Sequence, residues 1–242
     1  MKKIAIMQPY LFPYIGYFSL IANTDHFVFF DTPQYIRKGW INRNRILGGN
    51  EGDIYFTVPV EKCKREIAIK DVKISQNEKW KEKWMGQLTV YKKRAPYFFN
   101  VMELVQDTWN IDTNSISELA INSIVKTCDY LEMKFEYDVS SKLSLQLPEI
   151  QSPDEWALFI TKAMGYDTYI NPPGGKTFFD EKKYEAENIL LQFLTQKIIP
   201  YNQRTKEFIP GLSIIDIMMF CKPEEIRSMM NEFVIEGGKH FL

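Results

Sequence analysis

The side chains best equipped for chemistry stand in two segments near the start of the chain. The first runs Gln8-Pro9-Tyr10-Leu11-Phe12-Pro13-Tyr14-Ile15-Gly16-Tyr17-Phe18. Gln8 offers both an amide donor and a carbonyl acceptor. Pro9 and Pro13 fix the turn, and Gly16 lets another backbone or a ligand come close. A helix that follows such a loop points free N–H groups back at it, a seat for phosphate or carboxylate. Gln8, Pro9, Tyr14 and Gly16 are therefore candidate substrate contacts, although an aromatic-rich turn that only packs has the same composition. The second segment holds Asp31-Thr32-Pro33-Gln34-Tyr35, then Lys38-Gly39-Trp40-Ile41-Asn42-Arg43-Asn44-Arg45. Asp31 is the candidate general base, or an acceptor for a hydroxyl, and Lys38 the second candidate catalytic residue. Lys38, Arg43 and Arg45 suit phosphates or carboxylates. Asn42 and Asn44 suit hydroxyl-rich ligands, and Tyr35 or Trp40 can stack on a base or sugar ring. A solvated basic loop capped by Asp31 is the plainer alternative.

Three later stretches add to these. Thr168 to Lys176 carries a strand into Asn171-Pro172-Pro173-Gly174-Gly175. Such a turn reads either as an anion nest beside Lys176 or as a plain turn, and Asn171, Gly174 and Gly175 join the candidate site. Ser213 and Asp216 fit the cap and third position of a helix, with a pocket role as the alternative. Glu61 to Arg94 carries eleven Lys/Arg against five acids. That asymmetry could steer an anionic substrate, but it also describes one solvated basic helix face. Trp80 and Trp84, four apart, suit a core better than a nucleic-acid surface.

The elements that must position these residues follow from apolar runs. Ile4–Met7, bounded by Gln8-Pro9, suits a buried parallel strand. Tyr14–Ala22 reads as helix and Phe27–Phe30 as the next strand. Further strands are expected at Ile54–Val58, Lys134–Val139, Thr168–Ile170 and Ile189–Phe193, with a possible edge strand at Ile67–Ile74. Helices are expected over Glu78–Tyr91, from Pro96 to about Asp107, over Leu119–Leu131 behind a Ser115/Glu118 capping box, and from a Ser152 cap to Gly165. Two more lie near Ser213–Phe220 and Pro223–Phe233. Strands alternating with helices predict an α/β fold: a mostly parallel, Rossmann-like sheet with helices on both faces. The organisation expected is a single domain over 1–242, with a helical insertion at about 76–131 and a small helical region at about 200–242. Ligands in such sheets bind beyond the carboxyl ends of strands, so Gln8–Gly16, Asp31–Asn44, Ser140-Ser141 and Asn171–Lys176 should meet there.

Composition bounds the chemistry. The chain has 242 residues, 30 basic against 31 acidic, which argues against a wholly basic nucleic-acid binder. Only His26 and His240 are present, so histidine-centred hydrolysis is hard to build. Cys63, Cys128 and Cys221 form no CxxC pair, so no metal site is expected and three thiols in a reducing cytoplasm are. Gln8, Pro9 and Pro13 break the opening apolar run before it becomes a signal peptide, and no run approaches a membrane span.

The motifs together resemble the WbqC-like family of bacterial proteins. The resemblance rests on Ile4 through Phe18, Phe30-Asp31, Gln34-Tyr35, Lys38-Gly39-Trp40, Asn42-Arg43-Asn44 and Val58-Pro59-Val60. It continues at Tyr169-Ile170, Gly174-Gly175, Phe179-Asp180 and Leu212–Asp216. It implies a setting in surface polysaccharide biosynthesis, such as O-antigen or capsule. A more distant similarity, over Met7–Ile21 and Phe29–Asp31, is to nucleotidyltransferases with a HIGH signature. Phe12 or Pro13 and Tyr17 stand where that signature has histidines. The function expected is a transferase or ligase acting on a nucleotide-activated amino sugar, with acyl or aminoacyl transfer as one form. The alternative is a non-catalytic binder of nucleotide sugar or partner within a biosynthetic complex. The partner expected is a small anionic molecule, with no nucleic acid; an oligomer is compatible with the sequence, which names no cofactor.

Overall fold

A computed structural model describes residues 1–49, 52–77 and 79–238. The chain opens with strand Lys3–Met7 (β1), helix Ile15–Ala22 (α1) and strand His26–Phe29 (β2). The long excursion that follows holds strands Arg43–Leu47 (β3) and Asp53–Thr57 (β4), then helices Lys79–Leu88 (α2), Phe98–Trp109 (α3) and Ile116–Tyr130 (α4). Tyr137–Val139 (β5), Glu155–Ala163 (α5), Thr168–Asn171 (β6), Glu181–Ala186 (α6) and Leu190–Gln196 (β7) come next. Ile214–Phe220 (α7), Pro223–Met230 (α8) and Phe233–Glu236 (β8) complete the described fold.

Six strands form one sheet in the order β5-β2-β1-β6-β7-β8. All neighbours are parallel except β7 and β8. The two-residue period of a strand divides the apolar side chains between two cores. Ala5, Phe27, Phe29, Ile170 and Leu194 face a large layer that includes α1, α2, α3, α4, α7 and α8. Ile4, Ile6, Val28, Tyr169, Leu191 and Phe193 face α5 and α6 on the other side. This is an α/β fold with a mostly parallel sheet and helices on both faces.

Several local expectations need correction. Arg43–Leu47 is a strand, not part of a loop, and pairs antiparallel with β4 in a separate two-stranded sheet. Its arginines hide the alternation: Asn44 and Ile46 are buried while Arg43 and Arg45 are half-buried. Ile67–Ile74 is not an edge strand. It holds a 3-10 turn at Ile69–Asp71, and the spacing of buried Ile69 and Val72 matches that turn. The expected helix start at Glu78 lies outside the described residues, and the helix itself gives way to a 3-10 turn at Thr89–Tyr91. Asp154, not Ser152, occupies the cap position of α5, while Glu155 Oε2 accepts from the Gln151 and Ser152 N–H groups at 2.7 and 3.3 Å. Helix α6 is too short and polar to announce itself; only Tyr184 is buried. Beyond α8 the chain turns at Asn231 and adds β8 to the sheet, so the carboxyl-terminal region is not wholly helical. Asn50 and Glu51, just ahead of β4, and His240 lie outside the described residues.

Candidate functional site

From β1 the chain moves to β2 and then β5 on one side; it later returns to place β6 and β7 on the other. The direction of winding therefore reverses between β1 and β6. Loops leaving these two strands part from each other, and a crevice opens at the carboxyl ends. A cleft of about 1390 Å³ lies there, reached by Gln8 after β1 and by Asn171 at the end of β6.

The sheet side of the cleft is neutral. Gln8 keeps its backbone carbonyl bonded to the Tyr17 hydroxyl at 3.1 Å, while its side-chain amide has no hydrogen-bond partner among the described residues. Asn171 is held in place: its Oδ1 accepts from the Tyr169 hydroxyl at 2.8 Å, and its amide donates to the Pro172 carbonyl at 2.9 Å. Tyr10, Tyr14 and Tyr169 also line the cleft. Burial raises the ionisation of all three above the usual phenol value, so they are neutral hydroxyls at physiological pH. Gly16 does not admit a ligand. A Cβ there would stand 2.3 Å from the Tyr14 hydroxyl oxygen, so the Tyr14 ring is what comes close. Pro9 is buried outside the lining.

The loop after β1 is pinned from three distant places around Phe12, which is fully buried with φ 41°. Its N–H donates to Ser123 Oγ of α4 at 3.0 Å. Its carbonyl accepts from Asn44 Nδ2 of β3 at 2.7 Å and from the Ser213 hydroxyl at 2.7 Å. Asn44 therefore braces the cleft floor, and Ser213 does so while also capping α7 through the Ile215 N–H. Phe12, Pro13 and Tyr17 are all buried, and the two aromatic rings belong to the core.

The hairpin side carries the charge. Arg45 is the one ionised side chain among the described residues lining the cleft. Its Nη1 lies 3.4 Å from Asp53 Oδ2, its Nη2 lies 3.4 Å from the Gly211 carbonyl, and its buried Nε has no acceptor. The guanidinium carbon stands 6.0 Å from the Trp40 ring centre, and Trp40 in turn packs on Tyr55 at 6.1 Å. Arg43 points elsewhere, over Tyr55 at 4.6 Å, and donates to the Gly39 and Lys38 carbonyls. Asn42 and Tyr35 bond to each other at 2.9 Å, and Asn42 donates to the Val58 carbonyl, which fixes the base of the hairpin outside the lining. Lys38 is exposed on the tip of a tight turn with φ 60°, and it too stands outside the lining.

The two remaining acids are structural in their contacts. Asp31 is 3% exposed and turned toward Ser140 and Ser141. Oδ1 accepts from the Ser140 hydroxyl and the Ser141 N–H at 2.9 and 3.0 Å, and Oδ2 from the Ser141 hydroxyl at 2.7 Å. The carboxylate thus stitches β2 to the turn after β5 and does not face the cleft. Asp216 is fully buried and accepts from the hydroxyls of Tyr91 and Tyr201 and the amide of Gln203. With no cation beside it, burial pushes its carboxyl above the usual range.

The third wall combines α5 with the turn after β6. Of the two readings open for Gly174-Gly175, the hydrogen bonds match the plain turn. The Gly175 and Lys176 N–H groups bond to the Pro172 and Pro173 carbonyls, and Lys176 Nζ pairs with Glu236 at 2.6 Å. Both glycines nevertheless line the cleft, together with Trp156, Phe178 and Phe179. Lys183 of α6 anchors the start of α5 by donating to Ser152, Asp154 and Glu155, and so holds Glu155 down to about 2. Trp156, Phe178 and Phe179 were missed at the sequence level. The strand-end rule that singled out Asn171 would have reached Phe178 and Phe179 if carried a few residues further.

The sequence profile of the WbqC-like protein family matches residues 8–228, from the cleft floor through nearly all of α8. The chain belongs to the WbqC-like protein family. An uncharacterized protein of Mycobacterium tuberculosis is 26% identical over 226 residues, covering 90% of this chain and 93% of the relative. No solved structure matches. In this WbqC-like chain no group of three or more His, Cys, Asp or Glu among the described residues could hold a metal ion. No described helix is long and apolar enough to cross a membrane.

Proposed function

We propose that this WbqC-like protein binds a nucleotide-activated amino sugar in the β1/β6 cleft and acts as a transferase or ligase of bacterial surface polysaccharide biosynthesis. The observation that carries the reading is the pairing of Arg45 with Trp40 at one side of a switch-point cleft whose other side offers the free amide of Gln8. A guanidinium whose Nη groups make only long contacts, at 3.4 Å to Asp53 and to the Gly211 carbonyl, suits a diphosphate, an indole beside it suits a nucleobase, and side-chain amides suit sugar hydroxyls. Acyl transfer to an amine fits the lining. The acceptor amine's electron pair forms the C–N bond as the acyl donor's bond to its leaving group breaks, and the amine's proton departs with that leaving group, so the site has to orient two reactants and hold the developing oxyanion. Asp31 and Lys38 are given supporting roles: Asp31 clamps the turn after β5, and Lys38 adds positive charge at the mouth.

One observation favours a second reading, a non-catalytic nucleotide-sugar binder. No carboxylate, imidazole, amine or thiol stands among the described lining residues. Isothermal titration with a panel of nucleoside diphosphate sugars, followed by mass spectrometry of mixtures with acyl donors, separates the two. Binding with a new acylated product supports the transferase, and binding without turnover supports the binder. Failure of every nucleotide sugar to bind overturns both.

A further inference from the structure

Around the mouth of the cleft the surface carries large apolar side chains that nothing covers. Ile36 is 65% exposed, Phe178 52%, Trp40 47% and Trp156 38%, and all four line the cleft. They come from opposite walls, so they ring the opening. The tight turn that closes with a hydrogen bond from the Gly39 N–H to the Ile36 carbonyl presents Ile36, Arg37 and Lys38 outward. A Cβ on Gly39 would stand 2.8 Å from that carbonyl oxygen, so the turn depends on glycine.

The same lip is basic. From Thr32 to Gly49 there are four arginines and lysines and no acid. A second segment lies alongside: the Gln34 amide donates to the Arg65 carbonyl at 2.8 Å, Arg37 donates to the Cys63 carbonyl, and Tyr35 N–H donates to the Ile67 carbonyl. That contact brings exposed Lys62, Lys64 and Arg65 next to Arg37 and Lys38, with Glu61 and Glu66 as the acids of the same segment. Exposed aliphatic and indole side chains bordered by cations describe the surface of a protein that rests at a membrane interface. Indole and isoleucine enter the headgroup layer while lysine and arginine meet anionic lipid.

We infer that the cleft mouth docks on an anionic lipid surface through Ile36, Phe178 and the Arg37–Lys38/Lys62–Arg65 lip, so that the cleft opens toward the membrane. The occupant follows from charge: a neutral apolar partner would not need the lip's cations, and a nucleic acid would not need Ile36. The inference goes beyond the proposed function and does not rest on it, because lipid binding and nucleotide-sugar binding are measured separately.

The test is co-sedimentation of the full chain with vesicles of equimolar phosphatidylglycerol and phosphatidylcholine, against phosphatidylcholine alone. Binding is expected to the anionic vesicles and to weaken as salt rises. Lys64→Glu with Arg65→Glu should reduce it by roughly tenfold or more, since each basic residue near such a surface contributes about one factor of five. Ile36→Ser should reduce it by several-fold through lost insertion, whereas Phe99→Ser, on the most exposed aromatic elsewhere among the described residues, should not. All three sites are solvent-exposed, and circular dichroism confirms that each variant is folded. Equal binding to both vesicle types, or binding unchanged by both lip variants, overturns the inference. So does a wild-type dimer in sedimentation equilibrium that Ile36→Ser dissolves, because the rim would then be an interface between copies.

Discussion

The two sides of the cleft are built on different principles. On the sheet side, Gln8, Tyr169 and Asn171 are neutral and sit at the ends of central parallel strands; Tyr169 and Asn171 are fixed by bonds to their own neighbours, while the Gln8 amide has no partner among the described residues. On the hairpin side, Trp40 and Arg45 ride on a small antiparallel pair that packs on α2, where Phe56 meets Trp84 at 4.2 Å. The first side supplies shape and hydroxyl recognition; the second supplies charge and a stacking surface. Removing side chains should therefore trade stability against affinity differently on each.

The largest effect expected comes from the link between them. Asn44→Ala strands the Leu11 carbonyl and the Arg45 N–H in a buried region, and should lower unfolding free energy by about 3 kcal/mol in a urea titration. A loss below about 1 kcal/mol would mean that the two sides stand independently. Asp31→Asn should cost about 1–3 kcal/mol of stability by disturbing three hydrogen bonds, with turnover per folded molecule retained. A fall in turnover with unchanged stability would restore Asp31 as the base. On the hairpin side, Arg45→Gln should weaken nucleoside diphosphate sugar binding about 10- to 100-fold while leaving nucleoside binding nearly unchanged, as calorimetry can show. On the sheet side, Gln8→Ala should weaken sugar binding only about 2- to 10-fold, with no change in melting temperature because the amide has no partner in the fold.

The smallest effect is a pH dependence. Asp216 lies under the hairpin, since Tyr91 both donates to it and accepts from the Leu47 N–H. Its carboxyl is raised in the folded state, so the native protein holds a proton that the unfolded chain releases near pH 4. The associated stability is complete below that value and declines as pH rises through the folded value. Denaturation midpoints of the native protein and Asp216→Asn should accordingly diverge as pH rises above about 4. Parallel curves would show that the group titrates normally.

Much of the sheet side could be read from the sequence because its signals are local. Four consecutive apolar residues before Gln8-Pro9 suit a central parallel strand buried on both faces, and Thr168–Ile170 before Asn171-Pro172 is similar. The rule that ligands collect at strand ends then selected Gln8 and Asn171. The hairpin side was harder. Asn42, Asn44 and Arg43 look like ligand contacts by type, yet their partners are Val58, Phe12 and Tyr55, and pairing over such separations leaves no local mark. Gly16 misled for a related reason: its missing side chain makes room for a neighbouring ring. Ser213 could be read as a cap, but nothing in spacing tells that its hydroxyl also reaches residue 12. Strand β8 was hidden because half-exposed Phe233-Val234-Ile235 continues an amphipathic helix pattern as readily as it starts an edge strand.

The backbone at Phe12 has a temporal consequence. A bulky residue in the left-handed region costs on the order of 1–3 kcal/mol and persists only where its surroundings over-determine it. Here those surroundings come from residues 44, 123 and 213, so the chain must be synthesised through Ser213 before the loop can settle. A ribosome-bound chain that has not yet exposed Ser213 would carry the first strands yet lack the contacts that set the pocket floor.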